Sequence, residues 1–145
     1  MKNTQTIEQQ RENFKSWLAV MDLKLNKFVA SFFEEEQLHL DYSPKSLDFV
    51  ENWLIKHYAT GDDLKAPDQV EIYDGSARYI GQTFLKAVGG YWELRLDDPK
   101  YAYYGLPQIT GYAPRPTPEC PHVLCTTLLH RRTGKYLNNL LNNMP

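Results

Sequence analysis

"ARYIGQTFLKAVGGYWELRL", residues 77–96, decides how this chain folds, because its hydrophobic period changes in the middle. Ala77, Ile80, Phe84 and Val88 recur every three or four residues, as on one face of a helix. After Gly89-Gly90, Trp92, Leu94 and Leu96 alternate with Tyr91, Glu93 and Arg95, as along a half-buried strand. The double glycine is the handover: Gly89 reads as a left-handed helix cap, and Gly90 frees the turn that follows. Upstream, Pro67-Asp68 is the predicted start of this helix, with Val70 and Tyr73 on the same stripe. Gly75 and Gly81 inside it each cost about 1 kcal/mol of helix propensity. Gly81, beside Ile80 and Phe84, is expected to admit the close approach of another backbone. Gly75, outside the stripe, is expected to mark an irregular first turn or a later start.

Working toward the N-terminus, "ATGDDLKAPD" is a break, and before it a helix opens at Ser43-Pro44. Serine can cap the exposed N–H groups, and proline at the first helical position lacks only a donor that has no intrahelical partner there. Leu47, Val50, Leu54 and Tyr58 mark its buried face, which leaves Asp48 and Glu51 as a solvated face. Leu38 and Leu40 alternate with polar neighbours like a short strand. From Thr6 to about Gln37, Phe14, Leu18, Met21, Leu25, Phe28 and Phe32 form one apolar stripe, broadened by Trp17, Val29 and Phe33. This predicts one long helix or two joined near Asp22. The stripe suits a core-facing helix, and a heptad seam of this length could also pair with a second copy.

Working toward the C-terminus, the expected strand is followed by a turn at "DDPK" and by "YAYYGLPQITGY", an irregular antiparallel strand broken by Gly105 and Pro107. "APRPTPECP" reads as a proline-rich crossover and "HVLCTTLLH" as a third strand. Thr133 can cap a short last helix carrying Tyr136, Leu137, Leu140 and Leu141, which ends in "NNMP". Helices followed by clustered strands, without strand-helix alternation, predict an α+β fold: amphipathic helices packed on a small antiparallel sheet of about three to four strands, with a short C-terminal helix. No linker or repeat divides residues 1–145, so a single domain is expected.

Sixteen Lys and Arg against eighteen Asp and Glu give a net charge of −2, too balanced for a nucleic-acid or anionic-membrane partner held by a strong positive field. No stretch approaches the roughly 18 apolar residues of a membrane span, and no signal-like apolar run follows the N-terminus, so a cytoplasmic protein is expected. Cys120 and Cys125, if extended, would lie about 16 Å apart on opposite faces, which argues against a disulfide and for a reducing compartment.

No motif carries the spacing that a catalytic or cofactor chemistry requires, so the expectation is no cofactor, no metal and no catalytic residue. Cys120, His122, Cys125 and His130 invite a zinc reading, but on a strand Cys125 would face away from both histidines. "VGGYW" lacks the lysine and the glycine spacing of a phosphate loop. No serine elbow or cysteine signature supplies a nucleophile. Asp97 and Asp98 suit a turn. Tyr91, Tyr101, Tyr103, Tyr104 and Tyr112 crowd the strand region with Trp92, and such residues either fill a core or anchor an interface. The outward positions Tyr91, Glu93 and Arg95, with Tyr101, Tyr103 and Tyr104, form the candidate interaction surface. The alternative is a small-ligand or enzymatic site in a pocket between the third helix and the sheet, using Asp97, Asp98, His122 or His130.

"SARYIGQTFLKAVGGYWELRLDD" followed by "YYGLPQI" resembles small bacterial families of the immunity-protein type, over about residues 40–112. In these families a helix reading ARYIG ends in GG and passes to a Trp-bearing strand. A looser likeness is to the SUKH superfamily of immunity and glucan-synthesis-regulator-like proteins. The resemblance implies a non-enzymatic bacterial binding protein that neutralises a toxin by surface complementarity, with a protein partner and as a monomer or homodimer. It carries over no functional residue.

Overall fold

Two of the longer helices begin where the sequence supplies a side-chain cap. The computed structural model describes residues 5–112 and 117–143. Helix α1 (Ile7–Ala19) starts at a capping box in which the Thr6 hydroxyl accepts from the Gln9 N–H while the Gln9 side chain accepts from the Thr6 N–H. Helix α4 (Pro44–His57) starts at Ser43, whose hydroxyl accepts from the Ser46 N–H, with Pro44 in the first position. Between them lie α2 (Met21–Ala30) and α3 (Glu34–Gln37), so the long N-terminal stripe is broken at Val20, close to the expected joint. Met21, Leu25, Phe28 and Phe32 enter the core, whereas α1 buries no residue completely. Phe33, expected to broaden the stripe, stands exposed. The strand expected at residues 38–40 is absent: Leu38 ends α3 with 82% of its surface exposed, and only Leu40 turns inward.

After α4 come α5 (Gly61–Leu64), a single 3₁₀ turn (Pro67–Gln69) and the central helix α6 (Val70–Val88). The proline opens the 3₁₀ turn, and α6 proper begins three residues later than the sequence suggests. Ala77, Ile80 and Phe84 are fully buried in one core with Leu47, Val50 and Leu54 of α4. Tyr79 ties the two helices together: its hydroxyl donates to Ser46 Oγ at 2.8 Å and accepts from the Tyr42 N–H at 2.9 Å. Both helix glycines are places of close approach. A Cβ on Gly75 would lie 2.5 Å from the Phe28 ring, so this residue belongs to the packed face and not, as expected, outside it. A Cβ on Gly81 would lie 2.2 Å from the Trp92 indole, so the approaching group there is a side chain and not a backbone.

Helix α6 ends as the double glycine dictates, with the Gly89 N–H donating to the Leu85 carbonyl and both glycines at positive φ. Gly89, at φ 81° and ψ −168°, is more extended than the left-handed cap expected there. Strand β1 (Tyr91–Glu93) then pairs antiparallel with β2 (Gln108–Thr110), with Tyr91 opposite Thr110, Trp92 opposite Ile109 and Glu93 opposite Gln108. These are the two strands among the described residues, fewer than the three to four expected. The alternating pattern runs to Leu96, but pairing stops at Glu93, and residues 101–106 are turns. Leu96 is still buried.

The clearest departure is "HVLCTTLLH", which is not a strand but the body of α7 (Pro121–Arg131). Pro121 at the first position fixes a helical start, and Leu124, Cys125, Leu128 and Leu129 recur as one buried helical face against α6. The β-branched Val123, Thr126 and Thr127 that suggested a strand are only partly buried. Both cysteines are buried and free, Cys120 just before α7 and Cys125 within it. The crossover expected at "APRPTPECP" falls partly on residues 113–116, outside the described residues, as do Met144 and Pro145 of the expected "NNMP" end.

Helix α8 (Tyr136–Asn142) is started not by Thr133, which accepts from the Lys135 N–H, but by Glu51. Glu51, expected on a solvated face, is fully buried, and its two oxygens accept from the N–H groups of Tyr136 and Leu137, each at 2.9 Å. A carboxylate there satisfies orphan donors at the positive end of a helix. Arg132, between α7 and α8, works in the opposite direction. In left-handed conformation (φ 53°), it donates from Nη1 to the carbonyls of Tyr58 and Ala59 and from Nη2 to that of Ile55, at the C-terminal end of α4. The two elements cap each other.

Candidate functional site

The outward face of β1 and the turn after it carry the residues singled out from the sequence. Helix α6 positions this face through Trp92, whose indole sits in the notch left by Gly81, donates from Nε1 to Gln82 at 2.7 Å and meets the edge of Trp17 at 4.9 Å between ring centroids. With the inward residue locked, alternation turns Tyr91 and Glu93 outward. Tyr91 is 55% exposed. It lies across Gly111, where a Cβ would come within 2.4 Å of its ring.

Hydrogen bonds fix the rest. The Tyr101 hydroxyl donates to Gln108 Oε1 at 2.6 Å, and Gln108 Nε2 donates to Glu93 Oε1 at 2.7 Å. The Arg95 guanidinium lies over the Tyr101 ring at 4.1 Å and donates to both Asp97 oxygens, at 3.1 and 2.9 Å. That pairing holds the Asp97 carboxyl below the usual carboxylate range and raises Arg95 further above its own. Tyr103 packs edge-on to Tyr101 at 5.7 Å, and burial lifts its phenol above the ordinary value. Glu93, Arg95, Tyr101 and Tyr103 are thus brought into one plate, with Tyr91 on the neighbouring strand position and Tyr104, half-buried, in the same turn. Beside the plate, a groove of about 240 Å³ runs between α1 and this turn, lined by Gln10, Asn13, Phe14, Trp17, Leu94 and Pro107.

The alternative set is not gathered. Asp97 and Asp98 are exposed in the turn, where Asp98 accepts from the Lys100 N–H at 2.9 Å. His122 and His130 sit at opposite ends of α7, about 12 Å apart along its axis, with His130 exposed. The space between α6 and the sheet is filled by the Trp92 indole. No group of three or more His, Cys, Asp or Glu able to hold a metal ion occurs among the described residues. Burial raises both cysteine thiols above their ordinary value.

His122 belongs to a different centre that the sequence reading missed. Asp74 Oδ1 accepts from Trp17 Nε1 at 2.9 Å and from His122 Nε2 at 3.1 Å, while Oδ2 accepts from Arg78 Nε at 2.6 Å. Arg78 also donates to the Trp17 carbonyl at 2.7 Å and stacks on its indole at 4.0 Å. Burial opposes ionisation of Asp74, but the hydrogen bonds from His122, Arg78 and Trp17 and the Arg78 charge outweigh it and hold the carboxyl well below the usual range. This hub fastens α1 and α7 to α6. Its one signal in the sequence was the helical i, i+4 spacing of Asp74 and Arg78. Gln108, a fully buried amide joining the plate, left no sequence signal beyond a polar residue in a strand.

No family model, curated protein or solved structure matches this chain. The plate and the hub are therefore read on their own geometry. In the hub the carboxylate accepts from the guanidinium and the indole N–H, and the guanidinium stacks on the indole ring. The plate turns a tyrosine, a stacked arginine and a carboxylate outward. No helix among the described residues is long and apolar enough to cross a membrane.

Proposed function

We propose that this protein is a non-enzymatic binding protein of the immunity type, acting in a bacterial cytoplasm, that neutralises a toxin domain by covering it. Its binding face comprises Tyr91, Glu93, Arg95, Tyr101, Tyr103 and Tyr104. The observation that carries this reading is the pre-ordered Arg95–Tyr101 stack joined through Gln108 to Glu93. Tyrosine and arginine, with tryptophan, are enriched among the few interface residues that carry most of the binding free energy, typically in well-packed, desolvated positions. A side chain held before binding loses little rotamer freedom on association, which otherwise costs about 0.5–1.5 kcal/mol per residue. The small net charge leaves recognition to shape and local pairing, not to a long-range field.

The test is protection: the protein is co-produced in bacteria with any toxin domain encoded beside its gene, and survival is scored. Wild type should rescue growth, and Tyr101→Ala with Arg95→Ala should lose rescue while circular dichroism shows the fold retained. Rescue undiminished by the double substitution contradicts the assigned face, and no rescue by wild type contradicts the immunity reading.

A further inference from the structure

The hydrogen-bond pattern of the small sheet leaves one edge open. Ile109 exchanges both backbone bonds with Glu119, at 2.8 and 3.0 Å, so its N–H and C=O point away from β1. In an antiparallel ladder the bonds between β1 and β2 then fall to the pairs Tyr91–Thr110 and Glu93–Gln108. Alternation turns the N–H and C=O of Trp92 to the opposite side, away from β2. The bond from the Gly105 N–H to the Arg95 carbonyl, at 3.1 Å, continues the same alternation and places the Leu94 groups on that side too. Among the described residues, no hydrogen bond outside the ladder reaches the backbone groups of Trp92 or Leu94. The edge is nonetheless rigid, because the Trp92 indole is fixed by Gly81, Gln82 and Trp17.

We propose that β1 takes its partner by strand addition: an extended segment of another protein pairs antiparallel with the free edge at Trp92 and Leu94 and places a Lys or Arg opposite Glu93. This rests on the reading of the face as a binding surface and names the mode of binding. Main-chain bonds to an open edge give affinity, and alternate side chains give selectivity. Charge selects the occupant. Glu93 receives one bond, from the neutral Gln108 amide, and is in no ion pair among the described residues, so an added strand favours a cation opposite it. A second copy of this chain suits the edge less well. Pairing centred on Trp92 sets Glu93 diagonal to Glu93 of the other copy. Pairing centred on Leu94 brings Arg95 opposite Glu93 only if Arg95 leaves Asp97 and Tyr101.

The probe is a blocked peptide, Thr-Val-Lys-Val-Tyr-Val-Thr, titrated into the full chain with amide exchange followed by NMR. Saturation should slow exchange at Trp92 and Leu94 about tenfold or more, as for amides newly joined to a ladder. Replacing the peptide lysine by glutamate should weaken binding about fivefold, and Glu93→Gln in the protein should erase that difference. N-methylation of the peptide's central valine should abolish binding. A peptide that binds without protecting Trp92 and Leu94, equal affinity for the lysine and glutamate peptides, or no binding by either overturns the proposal. So does protection of these amides by self-association at rising protein concentration without peptide. A toxin partner that is lost on Tyr101→Ala, yet leaves the Trp92 and Leu94 amides unprotected in its complex, overturns strand addition alone and leaves the binding function standing.

Discussion

Replacing Gly81 by alanine sets two effects of opposite sign against each other at the point where the core helix carries β1. Alanine in a helix interior gains about 1 kcal/mol over glycine. The new methyl, however, would lie 2.2 and 2.3 Å from two atoms of the Trp92 indole and 3.1 Å from Pro121 Cγ. The indole has little room to give, because Trp17 stands against it and its Nε1 is bonded to Gln82. Overpacking of this kind costs about 1–3 kcal/mol, and loss of the Gln82 bond adds about 1 kcal/mol. The net expectation is a loss of about 1–3 kcal/mol. With an unfolding entropy of about 2 cal/mol/K per residue, a chain of this length should melt about 3–10 °C lower. Thermal unfolding by circular dichroism gives the shift, and tryptophan fluorescence reports whether the indole has moved. Adding Trp92→Leu should make the double variant more stable than the two single losses summed, since each removes the other's cause. A Gly81→Ala variant that melts higher than wild type, as helix propensity alone demands, would refute the reasoning.

Three further outcomes follow from the capping and hub interactions. Glu51→Gln replaces one acceptor by a donor facing the N–H groups of α8 and should cost about 2–4 kcal/mol in urea unfolding. Burial pushes the Glu51 carboxyl up, and the neutral amide avoids that cost of burying charge, which keeps the loss toward the smaller figure. Arg132→Ala keeps the left-handed backbone and loses the bonds to Ile55, Tyr58 and Ala59, whereas Arg132→Gly loses the same bonds but relaxes the backbone. The glycine variant should therefore be about 1 kcal/mol more stable than the alanine variant, with both below wild type in melting temperature. Because the folded pKa of Asp74 is depressed, its stabilisation is complete above the ordinary value of 3.8 and is lost as pH falls below it. The urea midpoint should begin to drop as pH falls below about 4 and keep falling toward about pH 2 for wild type, and less steeply for Asp74→Asn.

How far the sequence could be read depended on whether local signals agreed with tertiary ones. Ser43-Pro44 and Gly89-Gly90 lie where caps and turns are required by the backbone itself, so the ends of α4 and α6 were legible. The break near Asp22, the buried stripe of α4 and the Ala77, Ile80 and Phe84 part of the α6 stripe were legible for the same reason, whereas Val70, expected on that stripe, is 54% exposed where the chain leaves the 3₁₀ turn. In "HVLCTTLLH" the β-branched residues lie on the less buried face, and the leucines at 124, 128 and 129 decide the outcome by packing on α6. Local propensity pointed one way and burial the other. Glu51 looked solvated because its partners, the amides of Tyr136 and Leu137, are 85 and 86 residues away in the chain. Of the candidate surface, Glu93, Arg95, Tyr101 and Tyr103 were brought together by Gln108, a residue whose role appears only once β1 and β2 pair. The hub of Asp74, Arg78, Trp17 and His122 joins three helices and was legible only at its single helical spacing.

The central proposal is that this chain binds a toxin domain through the plate beside β1, and the most direct measurement is the affinity of that proposed partner for two matched variants. Tyr101→Ala removes the ring on which Arg95 stacks and the bond to Gln108; Lys135→Ala changes an exposed residue next to α8, on a different element. Calorimetric titration should show Tyr101→Ala weakening the complex by about thirtyfold or more, as for an interface residue worth about 2 kcal/mol, and Lys135→Ala leaving it unchanged. Equal affinity of wild type and a folded Tyr101→Ala variant would contradict the account.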